Sequence, residues 1–92
     1  AGTRFDLHFR SFSENEVNAI VGVMEELPGF KNRQVRNQTS EYFQLDVNYQ
    51  GKKLDFQDEL LRAMTKKGIR YKLHQAMGNR FLFFKDGTIN PY

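Results

Sequence analysis

Arg80-Phe81-Leu82-Phe83-Phe84-Lys85 is the stretch on which the fold of this 92-residue chain turns. Its apolar residues occupy both phases of a period-two pattern, Phe81 and Phe83 on one face, Leu82 and Phe84 on the other. A strand apolar on both faces belongs in the middle of a covered sheet, yet this one closes a terminal hairpin. Immediately upstream, Ile69, Tyr71 and Leu73 alternate with Arg70, Lys72 and His74, which reads as another strand. Residues 76–79 join the two, Gly78 and Asn79 supplying the dihedral angles of a hairpin turn.

Working outward, residues 55–67 read as a helix capped by Asp55, with Phe56, Leu60, Ala63 and Met64 on one face. Lys66 and Lys67 complement its C-terminal dipole, and Gly68 suits the residue that follows. Phe43, Leu45, Val47 and Tyr49 alternate with Tyr42, Gln44, Asp46 and Asn48, a strong strand ended by Gly51. Residues 30–40 are polar and read as an edge strand. Ser13 and Glu16 form a capping box, and Val17, Ile20, Val21, Met24 and Leu27 make one helical stripe, stopped by Pro28-Gly29. Phe5, Leu7 and Phe9 alternate with Arg4, Asp6, His8 and Arg10, giving a first strand. The core expected from these phases is Phe5, Leu7, Phe9, Val17, Ile20, Val21, Met24, Leu27, Phe43, Leu45, Val47, Phe56, Leu60, Met64, Tyr71 and Leu73.

The length is that of one small domain, expected to span residues 1–92 with order from about 4 to 85 and a tail over 86–92. Ala1-Gly2-Thr3, without an initiator Met, reads as a cloning remnant or a processed end. No cysteine is present, which excludes disulfide scaffolds, thiolate zinc sites and cysteine nucleophiles. No apolar run is long enough to span a membrane as a helix. No cofactor is expected: Walker loop, dinucleotide fingerprint and Ser-His-Asp arrangement are all missing.

The element order β-α-β-β-α-β-β predicts an α+β domain that resembles the ferredoxin-like split βαβ sandwich over about residues 4–75, two helices on one face of an antiparallel sheet. That resemblance implies a sheet order 4-1-3-2, with the last strand added at one edge. The open face then carries Arg70, Lys72 and His74 beside Arg4, Asp6, His8 and Arg10, and next to them Gln44, Asp46 and Asn48. Acylphosphatases share this topology and use an arginine near the first turn with an asparagine on the third strand. Arg10 and Asn48 are the matching types, but Arg10-Ser11-Phe12-Ser13 has no glycine to cradle a phosphate, so no enzyme is expected. The strand over 41–47 lacks the Lys/Arg-Gly-aromatic signature of RNA-recognition motifs. His8 and His74 with Asp6 offer a metal too few ligands, so no metal is expected.

Charge is unevenly distributed. Residues 1–46 hold five basic and seven acidic side chains, whereas residues 47–92 hold nine and four. Arg62, Lys66, Lys67, Arg70, Lys72 and His74 form a basic stripe, the footprint of an anion or nucleic-acid partner. The segment Glu26-Leu27-Pro28-Gly29-Phe30, running from helix into strand, is similar to small ferredoxin-like modules of bacterial envelope proteins, in flagellar and secretion assemblies and lipoproteins. The resemblance implies a non-catalytic protein–protein assembly module, periplasmic and part of a larger protein. Its partner, or a second copy, is expected to meet the open-side residues Leu82 and Phe84, with Arg80 and Lys85 guarding the ends. The alternative function is nucleic-acid binding by the 60–85 stripe.

Overall fold

The computed structural model describes residues 2–85. Seven elements follow in order: β1 (Thr3–Arg10), α1 (Glu14–Glu25), β2 (Phe30–Gln38), β3 (Tyr42–Tyr49), α2 (Lys53–Lys66), β4 (Tyr71–Met77) and β5 (Arg80–Lys85). The element order and the α+β class match the sequence reading. The sheet does not.

Its order is β2-β3-β1-β5-β4, five strands in a mixed sheet. β5 pairs in parallel with β1, Leu7 opposite Phe81 and Phe9 opposite Phe83, and antiparallel with β4. The expected order 4-1-3-2 with β5 at an edge is therefore corrected: β5 occupies the slot beside β1, and β4 is displaced to the edge. The reason lies in β5 itself. Phe81 and Phe83 are 0% exposed, Phe84 is buried and Leu82 half-buried, so both faces lose water only in an inner position. The region 30–38 is the opposite case, an edge strand as expected, exposed from Lys31 onward and bulged at two points.

α1 starts where the sequence predicts. Ser13 accepts from the Glu16 amide at 3.2 Å while Glu16 accepts from the Ser13 amide at 2.9 Å, a complete capping box. Lys85 at the end of β5 reaches the same Glu16 carboxylate at 3.1 Å, tying this inner strand to the start of the helix. α2 starts earlier than expected. Its N-cap is Lys52, without a side-chain cap, and Asp55 sits in the first turn, where it favours the dipole without capping. β4 begins at Tyr71, later than the expected Ile69, and runs to Met77. Ile69 instead closes the core after α2.

The core is aromatic. Phe5 stacks on Phe56 of α2 at 4.4 Å, and Phe9 stacks on Phe83 at 5.1 Å. Phe81 meets Phe5 and Phe56 edge-on, both at 5.8 Å. Phe12, Tyr49, Ile69, Phe81 and Phe83 are core members absent from the expected set, Val23 and Phe84 are buried outside that cluster, and Val21, Leu27, Tyr71 and Leu73 pack only partly against it. Tyr49 anchors β3 to α2 through its hydroxyl, which donates to Glu59 at 2.9 Å. Gly29 lies so close to Tyr49 that a Cβ there would sit 2.6 Å from both the ring and the Gln50 carbonyl oxygen.

Two outcomes test this packing. Phe83→Ala will cost about 3–5 kcal/mol, as for a buried central phenylalanine, while Val35→Ala on the exposed edge will stay within about 0.5 kcal/mol. Equal small shifts in a denaturation midpoint would return β5 to an edge. Burial and the neighbouring Glu59 push the Tyr49 phenol up to about 12. A raised pKa means the folded state holds this proton more tightly, so its stabilisation is complete below pH 10 and lost between pH 10 and 12. Ultraviolet titration of the tyrosines will show a late component that Tyr49→Phe removes.

Candidate functional site on the open sheet face

Opposite the helices, period two brings Arg4, Asp6, His8 and Arg10 of β1 to the face shared by Tyr42, Gln44, Asp46 and Asn48 of β3. The register sets Arg4 opposite Asn48, Asp6 opposite Asp46, His8 opposite Gln44 and Arg10 opposite Tyr42. On the other flank, Asp6 faces Arg80, His8 faces Leu82 and Arg10 faces Phe84. Lys72 of β4 lies opposite Phe84.

Two carboxylates directly opposite each other repel, and the surrounding cations offset that cost. Asp46, buried, is ion-paired to Arg4 and lies 3.0 Å from Nε of Arg36. Asp6 accepts from Gln44 Nε2 at 3.1 Å and from His8 Nε2 at 2.9 Å, with Arg80 Nε at 3.9 Å. The other ring nitrogen of His8, Nδ1, is hydrogen-bonded to the Tyr42 hydroxyl. In the neutral imidazole this assigns the hydrogen to Nε2, shared with Asp6, and makes Nδ1 the acceptor from Tyr42. Arg80 Nε, 3.3 Å from His8 Nε2, then cannot donate to that nitrogen and is held by the Asp6 charge. His8 is only 4% exposed although it stands on the open face, because larger side chains close around it. Arg10 stacks over the Tyr42 ring with its guanidinium carbon 4.8 Å from the centroid.

Burial pushes the Asp6 carboxyl up, but the hydrogen bonds from His8 and Gln44 and the Arg80 charge outweigh it, leaving the group below its ordinary value. The arrangement is a satisfied polar floor: no buried side-chain nitrogen or oxygen among the described residues lacks a partner.

The residues singled out from sequence are distributed as follows. Leu82, Phe84 and Arg80 do share the open face, but Phe84 is only 7% exposed, its ring meeting His74 edge-on at 5.3 Å. Lys85 points to the opposite side, to Glu16, so it guards no open-face interface. Both edges of β5 are paired, which removes strand addition to that strand. The expectation that Pro91-Tyr92 covers Leu82 and Phe84 lies outside the described residues. The basic stripe does not form one surface. Arg62, paired with Asp58 at 3.1 Å, lies within α2, Lys66 and Lys67 sit at its end, and Lys72 belongs to the open face with β4. Arg70 precedes β4 and His74 lies at its register shift.

Arg10 and Asn48, the pair shared in type with acylphosphatases, lie at opposite ends of the β1–β3 ladder. They are six positions apart, about 20 Å at strand rise. Asn48 donates instead to Asn32 at 2.6 Å. His8 and His74 lie on strands separated by β5. Among the described residues no group of three or more His, Cys, Asp or Glu side chains could hold a metal. No helix among them is long and apolar enough to cross a membrane. Arg36 is the site residue that sequence reasoning missed, because a bulge between Val35 and Asn37 breaks the alternation that would have placed it.

The chain matches no family model, no curated protein and no solved structure at a significant level.

The Asp6 shift fixes a pH dependence. A lowered carboxyl pKa stabilises the folded state above the unfolded value, and that contribution disappears as pH falls through the folded value, that is, below about pH 4. Denaturant midpoints measured from pH 5 down to pH 2 will fall less steeply for Asp6→Asn than for the parent chain.

Proposed function

We propose that this chain is a non-catalytic protein–protein interaction module that receives its partner on the open sheet face. The observation that carries the reading is the composition of that face around Leu82: a half-buried apolar side chain stands beside a polar floor whose groups already satisfy one another. Arg10, Lys72 and Arg80 stand near it, and Arg4 and Arg36 lie further across the face with Asp46. Interfaces of this kind combine an apolar centre with a charged rim that sets orientation and on-rate. A floor already committed to internal hydrogen bonds does not favour catalysis, since a general base needs a free lone pair aimed at a substrate. The assembly role and periplasmic setting within a bacterial envelope protein rest on the helix–turn–strand resemblance around Glu26-Leu27-Pro28-Gly29-Phe30.

Nucleic acid is the second reading, favoured by the excess of cations over Asp6 and Asp46 on this face. Against it, the aromatic surfaces that would stack bases are taken: Arg10 covers the Tyr42 ring and Phe84 is buried.

A photo-crosslinking residue at position 82 of the parent protein in its host will trap a defined protein adduct, one at Asp58 on the helix side will not, and Arg10→Glu will reduce the adduct. Cross-linking from position 58 alone would move the interface to the helices. Anisotropy with a labelled single-stranded oligonucleotide decides the second reading. Binding tighter than about 10 μM whose logarithm falls steeply with log salt would replace the protein partner by nucleic acid.

A further inference from the structure

At one end of the sheet, away from Leu82, a cleft of about 340 Å³ opens between the start of α1 and the β2–β3 turn. Its wall is aromatic and aliphatic: Phe9, Phe12, Val17 and Phe43, with Tyr42 at the side and the polar residues 38–40 at the rim. Phe9 meets Phe12 edge-on at 5.8 Å and Phe43 at 6.2 Å, so the rings are braced against one another. One lining residue is charged, Glu14, and none is basic. Among the described residues the Glu14 side chain makes no hydrogen bond or ion pair, unlike that of Glu16 in the same turn, which Ser13 and Lys85 hold.

We infer that this cleft binds a protonated organic amine with an apolar body. A cavity of this size suits a group of a few to about ten heavy atoms, at the small end of ligand pockets. The apolar body replaces water along the Phe12, Val17 and Phe43 wall, and the ammonium sits at the mouth beside the Glu14 carboxylate. An anion is disfavoured. The start of α1 would attract one, but Ser13 and Glu16 already occupy its cap, and Glu14 repels it. A neutral ligand gains nothing from the exposed Glu14 carboxylate. The same chemistry is carried by a free small amine and by a lysine side chain of a partner protein. The inference is independent of the open-face reading.

The experiment is a ¹H–¹⁵N correlation titration of the intact chain with three probes: benzylammonium, its neutral analogue benzyl alcohol, and N-acetyl-lysine methylamide. Benzylammonium will shift the amides of Phe12, Val17, Ser40 and Phe43 and bind about fivefold more tightly than benzyl alcohol, the modest contribution of one exposed carboxylate. Glu14→Gln, an exposed change whose unaltered spectrum reports an intact fold, will bring benzylammonium down to the affinity of the alcohol. Tighter binding of the lysine derivative assigns the cleft to a partner's side chain, and tighter binding of benzylammonium assigns it to a free amine. Equal affinity for charged and neutral probes, no effect of Glu14→Gln, shifts confined to residues elsewhere, or no binding of either amine would each overturn the assignment. None of these results bears on cross-linking from position 82, so the two readings fail separately.

Discussion

The parallel pairing of β5 with β1 is the contact on which the rest of the structure depends. The second crossover, from β3 through α2 to β4, leaves a gap of one strand beside β1, and β5 folds back into it. Filling the gap brings Phe81 and Phe83 beneath the helices, where they complete an aromatic layer with Phe5, Phe9 and Phe56. Left open, it would expose two phenylalanines and the inner edge of β1 together. Polar contacts fix the register at both ends. The Asp6 amide donates to the Asn79 carbonyl at 2.8 Å, and Lys85 reaches Glu16.

The same placement governs the open face. With β4 beside β1, the neighbours of Asp6, His8 and Arg10 would have been cationic or imidazole groups. With β5 there, they are Arg80, Leu82 and Phe84. Leu82 and Phe84 help exclude water from His8, which in turn requires that both ring nitrogens find partners. Asp6, two residues earlier on the same strand, and Tyr42 of the adjoining β3 supply them. A buried histidine on an open sheet is thus a consequence of an apolar inner strand beside β1, and the Asp6–Asp46 opposition is tolerable because Arg4, Arg36 and Arg80 converge on it.

The elements were legible in the sequence because each has its own period or cap. Ser13 with Glu16 marks the start of α1, Leu45 and Val47 mark the phase of β3, and the polar run from Lys31 marks an edge. The sheet order was not legible from topology habit, although the deciding signal was present: a strand apolar on both phases is a central strand, and Arg80–Lys85 is one. Asp55 misled because a capping residue type and a first-turn acidic residue look alike in sequence, and α2 begins at Lys53 with no side-chain cap. On the open face, single-strand alternation identified Asp6, His8 and Tyr42 as neighbours of water. That Tyr42, His8 and Asp6 form one hydrogen-bonded chain depends on cross-strand register, which alternation within a strand does not encode.

Tyr42 stands between the two surfaces and constrains how each is used. Its hydroxyl serves His8 Nδ1, its ring carries Arg10, and its side borders the cleft. A ligand that pushed the ring aside would leave a buried imidazole nitrogen without its donor, a loss of about 1–3 kcal/mol. That exceeds what a small amine gains from one exposed carboxylate. An occupant of the cleft therefore has to enter from the Phe12 and Ser40 side and leave Tyr42 where it is. A partner on the open face works under the matching restriction. It can draw Arg10 off the ring, since that guanidinium is exposed, but it cannot recruit the Tyr42 hydroxyl without taking it from His8.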